Sequence, residues 1–199
     1  MNRDKTIGGL LSKQTQTERF NQIVMPHLDA AYNLASWLTH NPQDAEDVVQ
    51  ESFMKALRYF DGFRGEDGRA WLLAIVRNTS YSWLETKKGL PLAVLDEDGD
   101  WLETQTAASI TATMTENPEQ QLMQSQDKAL IAAAIAALPL EYREVLILRE
   151  LEDFSYQQIS DIIGAPVGTV MSRLSRSRSL LRRWLANDAG SDFTQESAL

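Results

Sequence analysis

Hydrophobic residues recur along most of the chain at steps of three and four, which is the spacing of one face of an α-helix. The clearest case is predicted from about Pro42 to Phe60, where Asn41 supplies an N-cap and proline occupies the first helical position. Its apolar stripe comprises Ala45, Val48, Val49, Phe53, Ala56, Leu57 and Phe60. Alternating runs rich in valine, isoleucine and threonine, which indicate strands, are lacking. The pattern therefore predicts an all-α fold.

Other helices are predicted on both sides of this one. In the first half, a capping box at Thr15-Gln16-Thr17-Glu18 opens an apolar pattern that Pro26 interrupts, and a further helix is predicted over 69–87. In the second half, helices are predicted after Pro118, after Pro139, from a second capping box at Ser155-Tyr156-Gln157-Gln158, and from 167 to about 187. Gly164 suits a left-handed helix C-cap.

The composition changes between these two groups of helices. Residues 91–126 contain seven acidic and no basic side chains, and their apolar residues show no sustained period. A structureless loop of this length is uncommon inside one compact domain. The sequence therefore predicts two small helical domains, at 15–90 and 127–187, joined by a flexible acidic linker over 91–126 and followed by a mobile tail over 188–199.

A short helix, a tight turn containing glycine and a longer basic helix form the pattern of a helix-turn-helix. In the last helix the apolar residues from Val170 to Leu185 fall on one side, whereas serine, threonine and arginine fall on the other. Hydroxyl groups and arginine can contact bases and phosphates in the major groove of DNA. Arg178 fits a phosphate contact or a helix-end charge. The candidate DNA contacts are Thr169, Ser172, Arg173, Ser175, Arg176 and Arg178.

The total charge argues at first sight against nucleic acid, because 19 basic residues stand against 28 acidic ones and the net charge is −9. The distribution changes this picture. Residues 1–90 carry 11 basic and 11 acidic side chains, and residues 127–199 carry 8 and 10. Residues 167–185 hold five arginines and no acid. The negative charge thus belongs mainly to the linker, and the last helix is locally basic.

Several classes of function are excluded or disfavoured. The absence of cysteine excludes disulfides, thiolate metal sites and cysteine nucleophiles. No phosphate-binding Gly-rich loop, HExxH or GxSxG motif is present, and the two histidines, His27 and His40, fit structural or solvated positions. The longest apolar run, Ala129 to Leu140, is shorter than the 20 or so residues of a membrane span, and no signal peptide is evident. We therefore expect a cytoplasmic protein without membrane insertion, enzymatic activity, catalytic residues, cofactor or metal.

Two sets of motifs resemble a known family. The sequence over 44–53, Phe63-Arg64-Gly65, Trp71-Leu72 and 75–79 is similar to regions 2.2 to 2.4 of the extracytoplasmic-function (ECF) sigma factors of the sigma-70 family. The sequence over 137–151, 155–159 and 166–174 resembles their region 4. The resemblance covers roughly 20–90 and 125–186 in the family's order, so it is more specific than a helix-turn-helix alone.

The resemblance implies a function in transcription initiation. Such proteins bind core RNA polymerase, through the beta-prime clamp helices and the beta flap, and direct it to promoter DNA. Their region 2 opens and reads the −10 element, their region 4 reads the −35 element as duplex, and their connector follows the cationic RNA exit path. An anti-sigma factor is a common further partner.

The resemblance also assigns residues in the first half. Asp47, Gln50 and Glu51 match the positions that bind the polymerase clamp helices. Phe63 and Arg64 lie in the loop that the family uses near a flipped −10 base, and Trp71 either stacks on DNA or packs in the core. The remaining candidates for the −10 element are Arg77, Asn78, Lys87 and Lys88.

Two other functions stay open at this point. One is a stand-alone helix-turn-helix regulator whose first half is a sensor or dimerisation domain. The other is a helical adaptor whose basic helix binds an acidic protein. A sigma factor requires core polymerase for specific DNA binding, a repressor binds an operator alone, and an adaptor shows no sequence preference.

Overall fold

A computed structural model describes residues 16–65, 67–88 and 118–195, with side chains over 16–65, 67–87 and 127–186. Within these ranges the regular elements are helices and no strand is present, so the prediction of an all-α fold is confirmed. The described residues form two compact units. Those up to Lys88 belong to the first unit together with Gln157–Gly164, and the other residues from Pro118 onward belong to the second.

The first unit is built on three helices that pack on one another, α2 (Leu28–Thr39), α3 (Pro42–Tyr59) and α4 (Gly68–Lys88). A shorter helix, α1 (16–23), and a 3₁₀ turn, Met25–His27, precede them. Another 3₁₀ turn, Phe60–Gly62, follows α3. The fully buried side chains include Val24, Leu34, Leu38, Val48, Leu72, Leu73 and Val76.

Local signals explain where these helices begin and approach each other. The Asn41 side chain accepts a hydrogen bond from the Asp44 N–H at 3.1 Å, so the predicted N-cap of α3 is confirmed. Gly68 begins α4 against α1, where a Cβ atom on Gly68 would lie 2.7 Å from the carbonyl oxygen of Ile23. Only glycine allows these two backbones to approach so closely.

The two histidines occupy structural positions. His40 takes a left-handed conformation (φ 56°) at the end of α2, where its N–H donates to the Ser36 carbonyl at 3.0 Å. His27 ends the first 3₁₀ turn, and burial, followed by the positive charge of Arg69, lowers its pKa. Across the described part of the chain, no group of three or more acidic or histidine side chains is arranged to hold a metal ion.

The second unit contains α5 (Pro118–Ala136), α6 (Leu140–Leu146), the π-helical turn Ile147–Leu151 and α8 (Val167–Gln195). The long helix α8 packs against α5 and α6, and Val170, Leu174, Leu138, Val145 and Leu148 are among the buried apolar side chains of this unit. Arg143 donates to the carbonyl oxygens of Ala136 (2.9 Å) and Leu138 (2.6 Å), and so satisfies the carboxyl end of α5.

The segment before α8 has the order of a helix-turn-helix. Helix α7 (Tyr156–Ile163) ends at Gly164, whose φ of 68° is the left-handed value expected for a C-cap glycine. Ala165 and Pro166 complete the turn, and the Thr169 N–H donates to the Pro166 carbonyl at 2.9 Å in the first turn of α8. The elements that the sequence predicted here are therefore present.

Two predicted boundaries differ from the structure. Helix α5 begins at Pro118, before the predicted domain start at 127, and the rest of the predicted linker, 91–117, lies outside the described residues. Helix α8 continues to Gln195, past the predicted end near Asn187, because 188–195 contain no proline and a single glycine is tolerated in a helix. The mobility of the tail remains a prediction, and its last residues, 196–199, lie outside the described ranges.

Candidate nucleic-acid and protein interfaces

The three residues predicted to bind a protein partner lie together on the outer face of α3. Gln50 and Glu51 are exposed and Asp47 is half-buried, and Gln50 and Glu51 follow Asp47 by three and four residues. Glu51 also forms an ion pair with Lys55 at 2.8 Å. The structure therefore brings all three predicted residues onto one accessible face.

Two large apolar side chains share this outer face, which we call the α3 outer face (Asp47, Gln50, Glu51, Met54 and Leu57). Met54 is 63% and Leu57 54% exposed, so the prediction that Leu57 belongs to the buried stripe is wrong. The stripe runs through Val48, Ser52 and Ala56, and Leu57 lies about 100° beyond Ala56, away from its centre. Exposed apolar residues among polar ones are typical of a protein-binding surface.

An aromatic cluster holds the loop between α3 and α4. The Phe63 ring is stacked on Phe60 with centroids 5.9 Å apart, and it lies 4.8 Å from the Trp71 ring. Phe63 is only 5% exposed and Trp71 is half-buried. In this conformation both rings therefore support the loop, whereas the sequence placed Phe63 next to a flipped base and left Trp71 open between DNA and the core.

The polar residues predicted for the −10 element lie at three places on the surface of the first unit. Arg64 is exposed, and its guanidinium donates to the Asp61 carbonyl at 2.6 Å. Along α4, Arg77 donates to the exposed Asn78 side chain at 3.2 Å and its guanidinium lies 4.2 Å from the centre of the Tyr81 ring. Tyr81 was not among the residues predicted from the sequence, although its position four residues after Arg77 signals a side-chain pair on one helix face.

The two lysines at the end of α4 are a third group. Lys87 is exposed, forms an ion pair with Asp44 and lies 5.6 Å from the centre of the Trp83 ring. Lys88 is in the last turn of α4, and its side chain lies outside the described residues. Because Asp44 neutralises Lys87, this end of α4 is less cationic than its sequence indicates.

The outer face of α8 is rich in hydroxyl and guanidinium groups. Ser172, Ser175 and Arg176 are exposed, and Thr169 is half-buried. The Ser172 hydroxyl donates to the Thr169 carbonyl at 3.0 Å, so its oxygen can still accept a hydrogen bond from another group. Ser179, Arg182 and Arg183 continue the exposed face toward the end of the helix. These hydroxyl and guanidinium groups are the kinds that contact bases and phosphates in the major groove.

Two of the predicted DNA contacts on α8 instead bind carboxylates of the same unit. Arg173 is half-buried and reaches Glu141 at 2.6 Å and Glu144 at 3.4 Å. Arg178 donates from two nitrogens to Glu150, at 2.6 and 3.2 Å, and this hydrogen bonding raises the pKa of Arg178 above its ordinary value. Arg178 remains 44% exposed, so its charge is still accessible from solvent.

Each half of the chain matches a known family by itself. The family model for sigma-70 region 2 matches residues 23–89, and the model for sigma-70 region 4 matches residues 128–181. The first range covers α2, α3 and α4, and the second covers α6, α7 and the first half of α8.

Two similar proteins each match both halves of the chain in one alignment. The chain is 34% identical over 164 residues to the ECF RNA polymerase sigma-E factor of Escherichia coli, covering 81% of this chain and 84% of that protein. It is 32% identical over 169 residues to the RNA polymerase sigma-H factor of Pseudomonas aeruginosa, covering 83% and 86%. The chain belongs to the ECF sigma factors of the sigma-70 family.

A solved structure is similar in sequence and in fold. The sigma factor RpoE of Bartonella quintana, determined in complex with the anti-sigma factor NepR, is 30% identical, with a TM-score of 0.66 over 85% of this chain and 98% of that one. CnrH, determined with the cytosolic domain of CnrY, is 23% identical with a TM-score of 0.58 and supports the fold alone.

Family membership decides between the functions that the sequence left open. The chain is a sigma factor that directs transcription initiation by core RNA polymerase at promoter DNA, and it is not an enzyme. A stand-alone regulator or an adaptor is not favoured, because region 2 matches a family model of its own. None of the helices in the described ranges is long and apolar enough to cross a membrane.

Removing the partner of Arg178 is expected to strengthen DNA binding by this sigma factor. In the Glu150→Ala variant, Arg178 gains freedom to contact a phosphate, so the affinity of the holoenzyme for promoter DNA should rise a few-fold on every sequence. The slope of log affinity against log salt should become steeper by about 0.9. Asp127→Ala, which removes an exposed charge on α5, is the control. An equal gain in both variants would attribute the effect to net charge.

Proposed function

We propose that the two units of this sigma factor divide promoter recognition, with the first unit binding core polymerase and the −10 element and the second reading the −35 element. The observation that carries this proposal is the separation of two chemically different surfaces. The α3 outer face combines exposed apolar and acidic side chains, whereas the outer face of α8 offers hydroxyl groups and arginine.

The α3 outer face is the docking surface for the polymerase clamp helices. Asp47, Gln50 and Glu51 supply polar and charged contacts, and the resemblance to region 2.2 aligns these same residues with the positions that bind the clamp. Met54 and Leu57 add apolar area that polymerase binding would bury. The beta flap of the polymerase is the second docking site, and the region 4 half of this chain binds it.

The −10 element is read by the exposed polar groups of the first unit. Arg64 and Asn78 are accessible and can hydrogen-bond a base edge or a phosphate, and Arg77 with Tyr81 offers a flat surface on which a base can stack. Phe63 and Trp71 serve this site by holding the loop. Lys87 and Lys88 contact the DNA backbone at the end of α4.

The −35 element is read by the first three turns of α8. Thr169, Ser172, Ser175 and Arg176 lie on its outer face, where arginine can bind guanine O6 and N7 and serine can contact a base or a phosphate. Arg178 contacts a phosphate at the edge of this surface. Because the whole chain carries a net charge of −9, useful DNA affinity requires the positive surface of polymerase.

Regulation and location follow from the same assignment. The similar structure of RpoE contains an anti-sigma factor, and we extend this class of partner to the present protein. Its place of action is the cytoplasm, where the polymerase works. The acidic segment 91–126, with seven negative charges and no positive one, follows the cationic RNA exit path of the polymerase.

Run-off transcription with purified core polymerase tests this function. The wild-type chain should stimulate transcription from a promoter with both elements, and Arg176→Ala should lose about 1–3 kcal/mol of discrimination at a single −35 base pair. Arg182→Ala, which removes an exposed arginine further along α8, is the control and should weaken binding equally on every sequence. No stimulation together with no binding to core polymerase would contradict the proposed function.

A further inference from the structure

Arg173 lies on the packing side of α8, although Ser172 and Arg176 on the same helix face outward. Val170 is completely buried, Leu174 is 1% exposed and Ser177 is completely buried, and these residues form one stripe at steps of three and four. Arg173 is beside this stripe, with a side chain only 23% exposed, whereas Ser172 and Arg176, on its other flank, are exposed. The guanidinium group is therefore directed toward α6 and not toward the outer face of α8.

Its partners on α6 show why an arginine is needed there. Glu144 is completely buried, and a buried carboxylate requires a cation and hydrogen bonds to remain charged in a folded protein. Arg173 reaches it at 3.4 Å through one terminal nitrogen and reaches Glu141, one turn earlier on α6, at 2.6 Å through the other. One guanidinium thus joins two carboxylates on the same face of α6.

This contact restrains α8 in a way that apolar packing does not. Valine and leucine side chains in a core have no preferred direction of contact, so their packing depends on fit and not on the orientation of a particular group. A planar guanidinium that binds two carboxylates has a preferred direction at both contacts. A rotation of α8 about its axis relative to α6 would therefore lengthen at least one of the two contacts.

We propose that Arg173 is a positioning residue that orients α8, so that Ser172, Ser175 and Arg176 meet the −35 element, and that it does not itself read a base. This inference rests on the proposed function of α8. It replaces the sequence-based assignment of Arg173 to the DNA groove. It also means that the buried Glu144 and the half-buried Glu141 affect promoter discrimination although neither contacts DNA.

The two roles predict opposite effects of removing a glutamate. If Arg173 reads a base, loss of Glu141 releases the guanidinium and preserves or improves recognition. If Arg173 positions α8, loss of Glu141 lowers discrimination although no DNA contact is removed. Glu141→Ala is the informative variant because Glu141 is 26% exposed and Arg173 still neutralises Glu144. Glu150→Ala makes the same change of charge nearby and is its control.

The experiment measures the affinity of holoenzyme, made with the full chain, for promoters in which each −35 base pair is replaced in turn. We expect Glu141→Ala and Arg173→Lys each to lower the ratio of cognate to substituted affinity, by about tenfold at every −35 position that α8 contacts. The double variant should lose little more, because both changes remove one interaction. Glu150→Ala should leave every ratio unchanged.

Two results would overturn the proposal. One is a Glu141→Ala variant whose ratios all equal those of the wild type, and the other is an Arg173→Lys variant whose loss is confined to one base pair. Thermal unfolding of each variant separates orientation from stability, because a purely stabilising contact shifts the melting temperature and leaves the ratios of the folded protein unchanged. A wild-type holoenzyme that does not discriminate at −35 would contradict the proposed function instead.

Discussion

Replacing Leu57 by aspartate is expected to weaken the binding of this sigma factor to core RNA polymerase about 100-fold, which corresponds to about 2.7 kcal/mol. Leu57 is 54% exposed beside Met54 on the α3 outer face. The substitution removes apolar area from the proposed interface and introduces a charge that must lose water when the complex forms. Titration of labelled sigma factor with core polymerase measures the affinity directly.

Leu28→Asp is the matched control for this prediction. Leu28 is 42% exposed at the start of α2, so it is a similar apolar side chain outside the α3 outer face. Both variants should keep the melting temperature of the wild type, since neither side chain is buried. Wild-type affinity in Leu57→Asp, or an equal loss in both variants, would show that the α3 outer face is not the docking surface.

Gly68→Ala is expected to destabilise the first unit by about 2 kcal/mol, because an added methyl group overpacks the contact between α4 and α1. The new Cβ atom would lie 2.7 Å from the Ile23 carbonyl oxygen, which is a backbone atom and cannot rotate away. For a unit of this size the change lowers the melting temperature by roughly 8–16 °C. Thermal unfolding of the full chain, with amide exchange in α4 as the local probe, measures the effect.

Gly62→Ala tests whether the effect is specific to that contact. A Cβ atom on Gly62 would meet no atom within 4 Å apart from those of its chain neighbours. The free energy of unfolding of Gly62→Ala should therefore stay within about 0.5 kcal/mol of the wild type. Destabilisation of similar size at both glycines would indicate a general preference for glycine in this unit, and an unchanged melting temperature in Gly68→Ala would show that α1 can move without cost.

Signals that act over a few residues were predictable from the sequence. Asn41 caps α3 and Gly164 adopts the left-handed conformation, because capping and glycine conformation depend on the adjacent backbone alone. The outward face of α8 was also predictable for Ser172, Ser175 and Arg176, since helical periodicity places them opposite Val170 and Leu174.

Signals that depend on neighbouring helices were not predictable. Leu57 continues the apolar spacing of α3, yet more than half of its side chain is exposed, because the described helices of the first unit pack on the face that carries Val48 and Ala56. Phe63 belongs to a loop motif that resembles a base-binding site, yet Phe60 and Trp71 enclose its ring. In both cases the amino-acid type does not decide whether the side chain is buried. Its burial depends on which other side chains the fold places in contact with it.

The helical fold, the membership of the ECF sigma factors and the serine- and arginine-rich face of α8 could all be predicted from the amino-acid order, because periodicity and motifs are local properties of the chain. The contacts of Arg173 with Glu141 and Glu144, and the exposure of Arg176, became apparent only in the folded protein. Arg173 and Arg176 are three residues apart on one basic helix. They differ because the carboxylate of Glu144, which is completely buried and about thirty residues earlier in the chain, requires a cation at the position of Arg173 and not at that of Arg176.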